Sequence, residues 1–270
     1  MKKQSEISQE LQVAPDFFKE KEIEKRITFI KAQLLNSKQI NLVLGISGGI
    51  DSTLAGRLSQ LAVEQLREEG YLAHFIALRL PYGQQKDESD AQTALQFIKP
   101  DKCLTINIKK ACDESLDSIK ECNFLFASPQ QEDFILGNIK ARQRMIVQYS
   151  IANASQGLVV GTDHAAEALM GFFTKFGDGA CDFTPLSGLT KGRIKSIAHH
   201  LGAPLSLVNK IPTADLENLK PLLPDEEVYG ISYQQIDDYL EGKKVPQRVQ
   251  VLIEATYAKT QHKRHLPSTP

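Results

Sequence analysis

Ser47-Gly48-Gly49-Ile50-Asp51-Ser52 directly follows the apolar run Asn41-Leu-Val-Leu-Gly45-Ile46 and directly precedes a helical apolar stripe at Leu54, Leu58, Leu61 and Leu66. A strand, a glycine turn and a helix start in that order suit an anion. Gly48 and Gly49 let backbone N–H groups approach phosphate oxygens, Ser47 and Ser52 add hydroxyl donors, and the helix N-terminus supplies a favourable field. A tight strand-to-helix turn needs glycine too, so the loop alone leaves a purely structural reading open. The chain contains no G-x-x-x-x-G-K-[ST], and Gly45-Ile-Ser-Gly-Gly-Ile50 does not fit G-x-G-x-x-G, which disfavours a Walker loop and a dinucleotide-binding turn. Asp51 is the informative residue. A carboxylate repels bare phosphate, and makes sense there if a Mg²⁺ ion lies between them; the simpler alternative is that it favours the helix N-terminus electrostatically.

Five further residues invite chemistry. Thr162, Asp163 and Glu167 follow the apolar run Gly157-Leu-Val-Val-Gly161, where Glu167 offers a second carboxylate to the same cation. Thr162 and Asp163 are equally ordinary caps for a helix beginning near His164, with Glu167 facing solvent. Arg142 interrupts an apolar stripe between Ile139 and Ile146; it snorkels at the edge of that stripe or faces an anionic ligand in a crevice between subunits. Lys191 falls in the first turn of a helix over 190–200, where a positive charge opposes the helix dipole unless a phosphate is near.

These positions need a framework, and the hydrophobic pattern supplies one. Strands are expected at 41–46, 73–78, 103–108 and 157–161, alternating with helices at 53–69, 87–97 and 137–153, which implies an α/β fold with a parallel sheet covered by helices on both faces. Ligands then bind outside the carboxyl ends of the strands. Residues 6–35 read as an N-terminal helical cover, with Pro15 separating a mobile leader from the main helix. The glycine- and phenylalanine-rich stretch 171–185 and the stretch 205–227 have no clear period and read as lids. Helices at 233–240 and 247–260 precede a basic tail. The expected organisation is one domain over 1–270: the cover, an α/β core over 36–204, a mobile loop over 205–227 and C-terminal helices over 228–270.

With 270 residues and 41% hydrophobic content, the chain is long enough for a substantial core. Lysine and arginine total 32 against 33 acids, so nothing predicts sequence-independent attraction to nucleic acid or to an anionic membrane. The four cysteines, Cys103, Cys112, Cys122 and Cys181, have neither zinc nor disulfide-scaffold spacing, and read as reduced thiols. No apolar run approaches membrane-spanning length and the N-terminus has no signal-like core, so a cytoplasmic location is expected.

Ser47-Gly-Gly-Ile-Asp-Ser52 after an apolar strand resembles the PP-loop of the ATP pyrophosphatases. Extended along the chain, Arg79-Leu-Pro-Tyr-Gly83, Gly137-Asn-Ile-Lys-Ala-Arg142, Gly161-Thr-Asp-His-Ala-Ala-Glu167, Gly171-Phe-Phe-Thr-Lys-Phe-Gly-Asp-Gly179, Leu189-Thr-Lys191, Pro212-Thr-Ala-Asp215 and His262-Lys263 resemble, in order, the motifs of the ammonia-dependent NAD synthetases. The resemblance implies a Rossmann-like, adenine nucleotide alpha hydrolase-like fold. It also implies NAD⁺ synthesis from nicotinic acid adenine dinucleotide (deamido-NAD), ATP and ammonia through an acyl-adenylate, releasing AMP and pyrophosphate.

By the same resemblance, ATP is held by Gly45 to Ser52, Arg79, Gln85, Thr162, Lys191 and Thr213. Arg142, Lys175, Asp182, His262 and Lys263 hold deamido-NAD, Asp51 and Glu167 hold Mg²⁺, and Asp51, Glu167 and Lys175 carry catalysis. A homodimer with the substrate near its interface is implied as well. The segment before Asn41 is too short for a glutaminase of at least roughly 100 residues, so free ammonia is the expected nitrogen donor. Two rival readings are another PP-loop adenylating ligase and a non-catalytic adenine-nucleotide-binding protein.

Overall fold

The structure is a computed structural model that describes residues 2–84, 88–213, 217–267 and 269. Two helices, α1 (Lys2–Glu10) and α2 (Lys19–Ser37), precede β1 (Asn41–Gly45), α3 (Ile50–Glu68), β2 (His74–Arg79), α4 (Glu88–Ile98), β3 (Lys102–Thr105), α5 (Lys109–Glu121), α6 (Pro129–Ala154) and β4 (Gly157–Val159). Next come α7 (Ala165–Met170), α8 (Lys191–His200), α9 (Leu205–Val208), α10 (Asp225–Tyr229), α11 (Tyr233–Leu240), α12 (Gln247–Lys259) and a 3-10 turn at Gln261–Lys263.

The four strands form a parallel sheet in the order β3-β2-β1-β4, with Val43 opposite both Ile76 and Val159. Beyond β4 the edge continues for one rung, where Val160 pairs in parallel with Phe183. Alternation along β1 divides the core: Leu42 and Leu44 pack with α2, α3 and α8, whereas Val43 packs with Ile76, Cys112 and Leu136 on the opposite face. Both faces are therefore covered, as the near-continuous apolar strands require. Strand order reverses direction at β1, so the loops after β1 and β4 flank the topological switch point, where ligands bind in such sheets.

A third apolar cluster, around α7, α11 and α12, lies apart from the sheet and takes in Ile7 of α1. The N-terminal leader is thus seated rather than loose: Gln4 Nε2 also donates to the Tyr239 and Lys243 carbonyls at 2.8 and 2.9 Å. Two helix expectations change. α5 had no counterpart in the sequence reading, because Cys112 and Leu116 are its only buried residues and give too short a stripe to stand out among charges. α6 begins at Pro129 rather than 137, where Ser128 accepts the Gln131 N–H as N-cap and proline opens the first turn.

The stretch 205–227 is partly fastened. Buried Asp133 on α6 accepts the N–H groups of Asn218 and Leu219 at 2.8 and 2.7 Å, and Lys140 Nζ donates to Asn218 at 2.7 Å. Hydrogen bonds to a charged acceptor contribute about 1.5–3 kcal/mol each. Asp133→Ala should therefore speed amide exchange at Asn218 and Leu219 by about 10-fold or more while leaving the sheet protected. Hydrogen–deuterium exchange with mass spectrometry checks this; unchanged protection at those amides would remove Asp133 as the latch.

Candidate active site

The loop after β1 is held in shape by its own serines. Ser47 Oγ lies 3.1 Å from Ser52 Oγ and accepts the Gly49 N–H at 3.1 Å, while Ser52 Oγ donates to the Gly49 carbonyl at 3.1 Å. Gly49 is the N-cap of α3 and, lacking a side chain, makes no cap bond, so that end of the helix suits an anion. The two glycines turn out to have separate duties. Gly48 has φ +88°, and a Cβ there would meet the Ala91 backbone nitrogen at 2.8 Å, so the fold itself demands glycine. A Cβ on Gly49 would meet only Ser47 Oγ at 3.3 Å, and its backbone is extended. Gly48→Ala should therefore cost about 2 kcal/mol or more. Gly49→Ala should leave stability within about 1 kcal/mol but raise the KM for ATP about 10-fold or more. Urea titration and ATP kinetics of both variants check this, and equal effects on the two measures would refute the division.

Beside the loop sits a charge cluster in which Lys191 is buried and Asp51 and Glu167 are half-buried. Lys191 Nζ donates to Asp51 Oδ2 at 2.7 Å, and the lysine is buried. Burial favours the neutral amine, but Asp51 and Glu167 outweigh it and raise the Lys191 pKa. Burial likewise opposes ionisation of Asp51, yet Lys191 lowers its pKa overall. Glu167 fares differently: burial first and then the Asp51 carboxylate push its pKa well above the usual value. Asp163 is pushed up to about 7 by burial and Asp178.

The phosphate expected to compensate Lys191 is not required for that purpose. Asp237 accepts the Lys191 and Gly192 N–H groups at 3.1 and 2.7 Å, answering the α8 dipole, and Asp51 answers the ammonium. Nor do Thr162 and Asp163 cap α7. Its N-cap is His164, which makes no side-chain cap bond, and Glu167 turns inward rather than to solvent.

Asp51 Oδ1, His164 Nε2 and Glu167 Oε2 converge. The imidazole nitrogen is 3.5 Å from each carboxylate oxygen, and the three donor atoms lie within 4.8 Å of one another. Among the described residues, Asp51 Oδ1 and both His164 nitrogens are buried without a hydrogen-bond partner. Orphaned acceptors around one point fit a divalent cation, which such a carboxylate pair suits. Burial lowers the His164 pKa to about 3, so its ring is neutral.

A cavity of about 470 Å³ opens over this cluster. Gly45, Ile46, Ser47, Gly49, Ile50, Asp51, Ser52, Thr162, Glu167, Lys191, Thr213 and Lys263 all line it. Among the described residues, the predicted Gly48, Arg79, Arg142, Lys175, Asp182 and His262 do not. Arg79 is buried at the end of β2, its Nη2 donating to Glu88 at 2.6 Å. Gln85 lies outside the described residues, as does Asp215 of the motif at 212–215. Lys175 Nζ donates to the His262 carbonyl at 2.6 Å, and Arg142 Nη2 to the Lys175 carbonyl at 3.3 Å, forming a separate exposed group. Asp182 accepts the Val159 N–H at 2.6 Å and the Tyr149 hydroxyl at 3.4 Å at the sheet edge. Both stretches read as lids contribute walls, through Phe172, Phe173 and Thr174 and through Ile211, Pro212 and Leu223.

The stripe interrupted by Arg142 is not core-facing along its length: Arg142 is exposed, and Phe134 and Ile146 on the same helix are 58% and 50% exposed. The sequence reading also missed His164, Asp225 and Tyr233. The spacing His164-x-x-Glu167 was a usable signal, since donors three apart near a helix start can face one ion. Asp225, which accepts the Tyr233 hydroxyl at 2.8 Å, sits in a stretch without periodicity and had none.

Residues 22–267 match the sequence model of the NAD synthase family. The chain belongs to that family. It is 56% identical over 267 residues to the NH(3)-dependent NAD(+) synthetase of Streptomyces coelicolor, covering 99% of this chain and 97% of that one. The crystal structure of NAD+ synthetase from Burkholderia pseudomallei superposes with a TM-score of 0.86 at 51% identity, covering 98% and 97% of the two chains. A structure of NMN synthetase from Francisella tularensis superposes at 0.82 with 33% identity, covering 94% and 99%. The expected α/β class, with a parallel sheet between helical layers, holds.

Proposed function

We infer that this chain is an ammonia-dependent ligase that completes NAD⁺ synthesis, joining ammonia to deamido-NAD and cleaving ATP to AMP and pyrophosphate. Family membership over residues 22–267 and the whole-length identity of 56% to an NH(3)-dependent NAD(+) synthetase carry this reading. The substrate carboxylate is a poor electrophile and must first be activated. It attacks the α-phosphorus of ATP in line, forming an acyl-adenylate and releasing pyrophosphate. Ammonia then adds to the activated carbonyl, and the tetrahedral oxyanion expels AMP to leave the amide.

The serine-braced loop Ser47–Ser52 and the uncapped N-terminus of α3 receive the departing pyrophosphate. Lys191 fixes one oxygen of Asp51, so that the other, with Glu167, is left to hold Mg²⁺. Bound there, the ion would neutralise phosphate charge during adenylyl transfer. Thr162 and Thr213 contact ATP from the cavity wall, and Arg79 and Gln85 are assigned to its nucleoside end. Lys175 leaves the His262 carbonyl to face the oxyanion, while Lys263, His262, Asp182 and Arg142 position deamido-NAD. The stretches at 171–179 and 205–227 close over the adenylate and exclude water.

A second copy of the chain completes the substrate site. The exposed Phe134, Arg142 and Ile146 on α6 support this, and sedimentation at falling concentration should show a dimer. Among the described residues no helix is long and apolar enough to cross a membrane, in keeping with a cytoplasmic enzyme.

Chromatography with mass detection on ATP, Mg²⁺, ammonia and deamido-NAD should give NAD⁺ and AMP in equal amounts. With ¹⁸O in the substrate carboxylate, one label should leave in AMP. Offered nicotinic acid mononucleotide instead, the chain should turn over poorly. Preference for the mononucleotide would replace this assignment with an NMN synthetase activity like that of the Francisella protein.

A further inference from the structure

We propose that His164 is a direct third protein ligand of the divalent cation held by Asp51 and Glu167, and that it biases this site toward cations that accept nitrogen, such as Mn²⁺. The proposal rests on the metal role given above to the two carboxylates. Its own support is the imidazole, whose side chain is fully buried yet has no hydrogen-bond partner on either nitrogen among the described residues. Its Nε2 is 3.5 Å from Asp51 Oδ1 and 3.5 Å from Glu167 Oε2. That separation exceeds the usual hydrogen-bond range of about 2.7–3.2 Å to both oxygens. It is close to the spacing of neighbouring donors about 2.1 Å from one ion.

A ring placed only to bond a carboxylate would close on one of them; this one stands midway between two. An ion pair fares no better, because Lys191 already supplies the cation to Asp51 at 2.7 Å and a second buried charge beside it would be repelled. The neighbours fix the geometry without using the free donor atoms. Lys191 anchors Asp51 through Oδ2 alone, leaving Oδ1 toward His164. The Tyr233 ring, with its centroid 6.5 Å from that of the imidazole, packs beside the histidine.

Ligand identity then sets preference. Mg²⁺ takes oxygen donors and retained water almost exclusively, whereas first-row divalent metals accept an imidazole donor with an affinity that rises from Mn²⁺ onward, so the contrast with Mg²⁺ is smallest, but already present, for Mn²⁺. The full-length chain should bind Mn²⁺ more tightly than Mg²⁺, and His164→Asn should weaken Mn²⁺ binding about 10-fold or more while changing Mg²⁺ binding by less than about 3-fold.

The deciding measurement is pulsed electron paramagnetic resonance of the chain with Mn²⁺ alone. A directly bound imidazole gives a nitrogen coupling that changes its pattern when the histidines carry ¹⁵N, and this needs no variant. We expect the coupling in the native chain and its loss in His164→Asn. Mn²⁺ bound without nitrogen coupling would overturn the role of His164 while leaving the carboxylate site standing. Coupling that survives in His164→Asn would overturn it too. Failure of Mn²⁺ to bind at all would overturn both the ligand assignment and the metal role beneath it, whereas NAD⁺ formation is read separately in the assay above.

Discussion

Replacing Asp51 with asparagine should leave less than about 0.1% of pyrophosphate release, and should also lower thermal stability. The first effect is a loss of transition-state charge stabilisation: about 4 kcal/mol corresponds to roughly a 1000-fold fall in rate. The second follows from Lys191, which is buried and whose close carboxylate partner is Asp51 at 2.7 Å. Breaking a buried pair from one side costs about 3–5 kcal/mol because the other charge is stranded, whereas an exposed pair contributes under about 1 kcal/mol. The chain should still fold, since the apolar clusters are untouched, but its melting temperature should fall by about 5–10 °C. Combining Asp51→Asn with Lys191→Met should restore part of that stability and none of the activity. Differential scanning calorimetry on the two singles and the double separates the effects. Strictly additive losses would show that the pair is not coupled, and near-normal turnover of Asp51→Asn at saturating Mg²⁺ would remove its metal role.

That double dependence was only half legible in the residues. Ser47 to Ser52 suggests a phosphate loop because glycine, hydroxyls and a helix start are local features. The carboxylate Asp51 suggests a cation for the same reason. Its pairing with Lys191 spans 140 positions and is created by α3 and α8 packing side by side. No short-range pattern encodes that. The strands were readable because β1 and β2 are buried along nearly their whole length and so nearly all apolar, and β4 is a short apolar run beside them. α5 was not, since its buried residues occupy little more than one turn.

The grouping of site residues was legible mainly as a list. The cavity gathers most of the residues that the resemblance assigns to ATP, though not Arg79, together with Lys263, while Arg142, Lys175 and Asp182 stand outside it. Residues needing a second subunit would be left so in a single chain. His164 shows the opposite case, a residue passed over because an isolated histidine near a helix start has many ordinary readings. Its significance comes only from the two carboxylates that the fold brings to 3.5 Å.

Glu167→Gln should produce opposite signs in activity and stability. Turnover should fall about 100-fold or more, because one of two carboxylates facing the phosphates is lost. Stability in the absence of divalent cations should rise at about pH 8. The reason lies in the crowding: burial and the Asp51 carboxylate raise the Glu167 pKa well above 4.5, so ionising it in the folded chain is unfavourable. An acid with a raised folded pKa holds its proton in the native state where the unfolded chain has released it. Stability is then greatest below the unfolded value and is lost as pH rises toward the folded one. Asp163, pushed up to about 7, adds to the same slope, and the two acids together outweigh His164, whose lowered pKa acts in the opposite sense.

The native chain without divalent cation should accordingly melt lower at about pH 8 than at about pH 5, and Glu167→Gln should make that decline shallower. Mn²⁺ or Mg²⁺ should raise the native melting temperature at about pH 8 and do much less for the variant, since the ion replaces the missing proton. Such a group is kept for function at a cost to stability. Scanning fluorimetry across pH, with and without cation, decides the matter. A variant that is less stable at about pH 8 with an unchanged pH slope would mean that Glu167 serves the fold as an acceptor rather than the cation as a ligand.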